Sequence, residues 1–214
     1  MTNSLKMVKL DFFMMKSQLA SYAVIILFVL LFSFMGSSIT LICNYCAWFV
    51  ALMSTTIFAT QEKNNFNRLY GSLSLKLKDI VLGRYIFTVM SFVLSFIVAI
   101  VLFFGLALFQ GNSFTLFDVF LSFGVSLLIF SAIVGMQMPI FFKMGYIKAR
   151  VWIFIPFAGV IGLVVLFGVV KGLSGIIVFM RSNEPFLIIC CLLASCIIQY
   201  LSYRVSIIAY RKRR

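Results

Sequence analysis

The feature that most constrains this chain is a series of apolar runs separated by short polar breaks. The first, "LASYAVIILFVLLFSFMGSSIT" at 19–40, holds no charged residue, and comparable runs follow at 43–60, 84–109, 117–142, 151–170 and 185–208. About 20 helical residues at ~1.5 Å rise cover the ~30 Å hydrocarbon of a bilayer, so each run is long enough, or nearly so, to cross. A segment in lipid must satisfy its own backbone hydrogen bonds, and the alternation of a membrane β-barrel is missing, so the spans are read as helices. Composition agrees: 64% of residues are hydrophobic and 11% charged, against roughly 45–50% and about 25% in soluble domains. The reading is an all-α polytopic membrane protein, a single transmembrane domain over 1–214 with six transmembrane helices.

Lys and Arg orient the spans. With the N-terminus inside, sixteen of the eighteen basic residues fall on the cytoplasmic side, and only Lys171 and Arg181 fall outside. That asymmetry follows the positive-inside rule and puts both termini in the cytoplasm. The net charge of +13 is then accounted for by topology and by anionic lipid, without nucleic acid. Lys6, Lys9, Lys16, Arg211, Lys212, Arg213 and Arg214 are the expected membrane-surface cations. Leu5, Val8, Phe12, Met15 and Leu19 share one helical face with those N-terminal lysines beside it, which predicts an amphipathic surface helix over 1–18. No cleaved signal peptide is expected, because the first apolar run is too long for one and a charged segment precedes it.

Much chemistry is excluded. The chain has no His, hence no Ser–His or Cys–His nucleophile and no His-containing metal site. Its five carboxylates, Asp11, Glu62, Asp79, Asp118 and Glu184, map to loops or span edges, away from the mid-membrane position of a proton relay. No P-loop motif occurs, so ATP is not bound here by that device. No catalytic residue, metal site or cofactor is assigned to this chain. Cys43 and Cys46 read either as small apolar residues or as a redox pair near the outer face.

Within the spans, Gln137 and Gln199 read either as glue between helices or, with Met136 and Met138, as points on a translocation path. Pro139 is expected to kink the fourth span and Pro156 the fifth. Ala158 with Gly162, and Gly168 with Gly172, have the small-xxx-small spacing that permits close helix packing. The segment 171–184 has too short an apolar centre to cross, and reads as an extracellular or re-entrant piece or as a greasy loop.

The longest polar stretch, "QEKNNFNRLYGSLSLKLKDIVLGRY", joins the second and third spans on the cytoplasmic side. Phe66, Leu69 and Tyr70 stand at i, i+3 and i+4, so a short helix there presents one aromatic patch, fit for a soluble partner or for packing on the membrane surface. In this stretch the chain resembles the permease subunits of ABC-2 type transporters. Glu62 matches the family's acidic position and Arg84-Tyr85 its basic–aromatic pair opening the third span, while Leu73-Ser74-Leu75 stands where many relatives carry Leu-Pro. The small size and short loops are most similar to bacterial exporters of amphipathic peptides of the phenol-soluble modulin type. The resemblance implies a plasma-membrane exporter with two permease chains and separate ATPase subunits that bind ATP and magnesium. It also implies that 61–83 is the loop coupling to the ATPase, with Glu62, Phe66, Arg68, Leu69 and Tyr70 at the contact. Read without the resemblance, the residues also admit a scaffold, immunity or sensor subunit, or an ATP-independent carrier or channel.

Overall fold

A chain with so few breakers between its polar loops should spend nearly all its backbone in helices, and it does. The structure, a computed structural model, describes residues 3–15, 19–64, 76–110, 115–169 and 184–213. Among the described residues every regular element is helical. In chain order these are α1 (Asn3–Met15), α2 (Leu19–Phe34), α3 (Ile39–Lys63), α4 (Leu77–Gln110), α5 (Leu116–Met144), the short α6 (Tyr146–Ala149), a 3-10 turn (Arg150–Ile153), α7 (Phe154–Val169) and α8 (Glu184–Arg213). Helices α3, α4, α5 and α8 are each long and apolar enough to cross a membrane. α2 and α7 have 16 residues each, about 24 Å of helix, short of the hydrocarbon thickness.

The boundaries differ from hydropathy where local chemistry decides. The turn between the first two helices lies at 35–38, not at 41–42, because Gly36 takes the left-handed conformation (φ +72°) that ends a helix. α3 therefore starts earlier than the second apolar run. α4 begins at Leu77, well before Arg84, with Asp79 in its first turn, where a carboxylate favours the helix dipole. The stretch 61–83 is thus divided: its start belongs to α3, its end to α4, and residues 65–75 lie outside the described set. Thr115 and Asp118 form a reciprocal capping box at the head of α5. Pro139 sits inside α5, which continues past it to Met144. Pro156 falls in the first turn of α7, where a missing N–H costs no helical bond, so it marks a helix start instead of a kink within α7.

α5 is the centre of the bundle, packed most extensively on α8 and then on α3. The core joins Ile42, Val50 and Ala51 of α3, Phe92 of α4, and Phe130, Ile133, Val134 and Met138 of α5. Phe92 stacks on Phe130 at 4.7 Å. The α5–α8 seam is set by small and polar residues. Ile198 of α8 packs so closely over Gly135 that an added Cβ would lie 2.8 Å from its Cγ2. Ser202 donates to the Gly135 carbonyl at 2.7 Å, and Gln199 Nε2 to Ser131 at 3.3 Å. Small residues that bring these two helices together include Ser131 and Gly135, with Gly124 near Ile188 and Cys191 further along the seam. Gly162 is exposed, and a Cβ there would meet nothing within 4 Å; Gly172 lies outside the described residues.

Gly135→Ala should consequently lower the melting temperature in detergent or nanodiscs by the equivalent of ~1–3 kcal/mol, the usual cost of overpacking. Adding Ile198→Ala should recover a share of that loss, while Gly159→Ala, which meets nothing within 4 Å, should leave stability unchanged or slightly raised.

Candidate functional site

At the basic end of the bundle the ends of the helices are tied together by charge and aromatic stacking. Arg84, in the third turn of α4, is fully buried. Its Nε lies 3.2 Å from Asp11 Oδ2 of α1, and both side chains are 0% exposed. Its Nη2 donates to Gln61 Oε1 of α3 at 2.7 Å. The guanidinium also lies over the Phe58 ring, 5.1 Å from its centroid, a cation–π contact strengthened by exclusion of water. One side chain thus holds three helices.

Burial without water is costly for both charges, and their attraction offsets that cost only partly. Burial pushes the Asp11 carboxyl up from its usual 3.8 to about 6, against the pull of Arg84. The folded chain therefore holds this proton more tightly than an unfolded one. The group adds stability as pH falls through about 6 toward 3.8 and withdraws it as pH rises. The pair is a positioning device and not a net source of stability.

Glu62, next to Gln61, ties α3 to the corner after α5. Its Oε2 accepts from the backbone N–H of Tyr146 at 2.6 Å and of Ile147 at 3.0 Å, the unpaired donors at the start of α6. The corner turns on Gly145 (φ +80°), and the Arg213 guanidinium of α8 covers it so closely that a Cβ would fall 2.6 Å from Nη2. Arg213 Nη1 points at the Phe141 carbonyl, 3.4 Å away, near the C-terminal end of α5, where a cation suits the helix dipole. Phe58 stacks on Phe141 at 5.0 Å and meets Phe142 edge-on at 5.2 Å. Phe142 in turn lies 5.3 Å from Tyr210 of α8. Tyr85, beside Arg84, reaches the other way and shares hydrogen bonds with Ser202 and Ser206 of α8.

Of the residues expected at the ATPase contact, Glu62 stands in this cluster, while Phe66, Arg68, Leu69 and Tyr70 lie outside the described residues. So do Lys16, Arg214 and residues 171–183 of the segment after α7. Lys9, Arg211, Lys212 and Arg213 are exposed, and Lys6 belongs to α1. Of the suggested path residues, Met136 is 52% exposed while Gln137 and Met138 are buried, because consecutive helical positions point about 100° apart. Gln199 joins α8 to α5, the glue role.

Of the expected apolar face of α1, Val8 and Phe12 have described side chains. Phe12 is 58% exposed, and the buried side is Met7 and Asp11, flanked by Val8 and Met14. Asp11 turns inward to meet Arg84. Sequence reading missed that pair, although Asp11 is the only carboxylate before Glu62 and sits in an otherwise basic helix.

These features define a multi-pass helical membrane protein whose helix ends are mechanically joined at one face. The sequence profile of the ABC-2 family transporter proteins matches residues 6–211. The chain belongs to that family, whose members are the permease components that work with ABC ATPase subunits. No curated protein and no solved structure matches the chain.

Truncating either partner of the buried pair, as Asp11→Leu or Arg84→Met, should cost ~3–5 kcal/mol of stability, by stranding one buried polar group. The double replacement Asp11→Leu/Arg84→Met should recover most of that in thermal unfolding. Single variants as stable as the wild type would show that the pair is open to water.

Proposed function

We propose that this chain is the membrane permease of an ATP-driven exporter of amphipathic or hydrophobic peptides, acting as a pair of identical chains in the bacterial plasma membrane. In this reading α2 and α7 complete six crossings, and the basic end with both termini faces the cytoplasm. α1 lies along the inner surface. ATP and magnesium belong to the separate ATPase subunits.

The observation that carries the reading is Glu62. It stands where the loop between α3 and α4 begins, and its carboxylate holds the first N–H groups of the next loop on the same face. An ATPase gripping the aromatic patch of Phe66, Leu69 and Tyr70 would pull on the end of α3 and the start of α4 together. Through Gln61 and Arg84 the same motion reaches α1, and through Glu62 it reaches α6. ATP binding on another chain then biases the bundle between two arrangements, as alternating access requires. Spans rich in Phe, Leu and Met suit a cargo with an apolar helical face.

Phe66→Ala/Tyr70→Asp should abolish co-purification of the ATPase while the permease still inserts. Glu62→Gln weakens two charge-assisted hydrogen bonds, and should lower cargo-stimulated ATPase activity in proteoliposomes roughly tenfold with insertion retained. Intact ATPase binding in the double variant, or peptide transport without nucleotide, would overturn the assignment.

A further inference from the structure

Beside the buried ion pair, on the side away from the α5–α8 seam, α1, α2 and α4 enclose an open groove of about 640 Å³. That volume is within the ~300–1,000 Å³ of small-molecule sites. Its walls come from Val8 and Phe12 of α1, Ile26 of α2, and Met90, Ser91 and Leu94 of α4. Among the described residues no charged side chain lines it. On α4 the lining runs from Phe87 to Val98, about 16 Å along the helix. That is the depth of one leaflet, half of the ~30 Å hydrocarbon layer.

The groove begins one turn beyond Arg84, where α1 crosses the head of α4. The Asp11–Arg84 pair fixes the rotation of α1 so that Val8 and Phe12, on either side of Asp11, face the groove. Lys9, which follows the groove-lining Val8 in α1, is exposed, with Nζ 6.0 Å from the Phe13 ring centroid. Lys6 stands one turn earlier on α1.

We infer that this groove binds one acyl chain of an anionic glycerophospholipid, with its phosphate against Lys9. A leaflet-deep apolar slot with an exposed cation next to Val8 of its wall fits a tail and a negative headgroup on one molecule. Assigning the lipid to the inner leaflet rests on the orientation proposed above; the binding itself does not.

The test is photo-crosslinking of the purified chain in nanodiscs with phosphatidylglycerol bearing a diazirine in its acyl chain. Adducts should concentrate on Met90 and Leu94 over Val101 and Leu108, which are exposed on the same helix outside the groove. Unlabelled phosphatidylglycerol should compete and phosphatidylcholine should not. Lys9→Glu should reduce that preference roughly fivefold, and Ala23→Phe, which fills the groove from α2, should reduce labelling of Met90 with Val101 unchanged. Equal labelling inside and outside the groove, or no headgroup preference, overturns the inference. So does capture of a second copy of the chain, instead of lipid, by p-benzoylphenylalanine at position 90. None of these readouts involves ATP or cargo, so failure of the exporter reading leaves them interpretable.

Discussion

The architecture at the basic end depends on one buried cation. Arg84 is placed by its own helix at a depth where water is excluded, and a guanidinium cannot shed its charge. Its surroundings must therefore supply a carboxylate, an amide oxygen and an aromatic face, and they do so from α1 and α3. Those demands fix which side of α1 turns inward, how far α3 must extend, and where the groove beside α1 can open. A hydrophobic residue at position 84 would pack without such requirements. The charge thus specifies an arrangement at the expense of stability.

The second organising contact is of a different kind. Between α5 and α8 there is no hydrophobic force to exploit in lipid, since tails are as apolar as side chains. Closeness comes instead from Gly135 and from hydroxyl and amide groups that find partners across the seam. Tyr85 links the two systems, because it follows Arg84 in α4 and bonds to Ser202 and Ser206 of α8. The basic–aromatic dipeptide that resembles the family pattern is, in structural terms, a two-sided clamp.

The sequence showed the helical class, the membrane environment and the basic end plainly, because hydrophobic run length and Lys/Arg placement are one-dimensional properties. Glu62 was also legible as a residue of interest, through its family position. Helix ends were less so: hydropathy could not see that Leu77 to Gly83 continue α4, since helix formation there depends on dipole and backbone and not on apolarity. The Asp11–Arg84 contact was out of reach, because it joins residues 73 positions apart (84 − 11), and either charge alone is what a membrane-surface segment ordinarily carries. Near Met136 the differing exposure of neighbouring positions was equally hidden from a hydropathy reading.

α4 has a further consequence as a mechanical object. It is an unbroken helix of 34 residues, about 51 Å long, and it is held near one end, at Arg84 and Tyr85, by contacts to α1, α3 and α8. The arm from Leu77 to Arg84 is about 10 Å and the arm from Arg84 to Gln110 about 39 Å. A rod free to pivot there would multiply motion roughly fourfold, and it is the packing of Phe92 on Phe130 and of Phe96 on Phe123 along the long arm that resists such a tilt. A tilt of α4 would therefore have to break those ring contacts before it could separate α4 from α5.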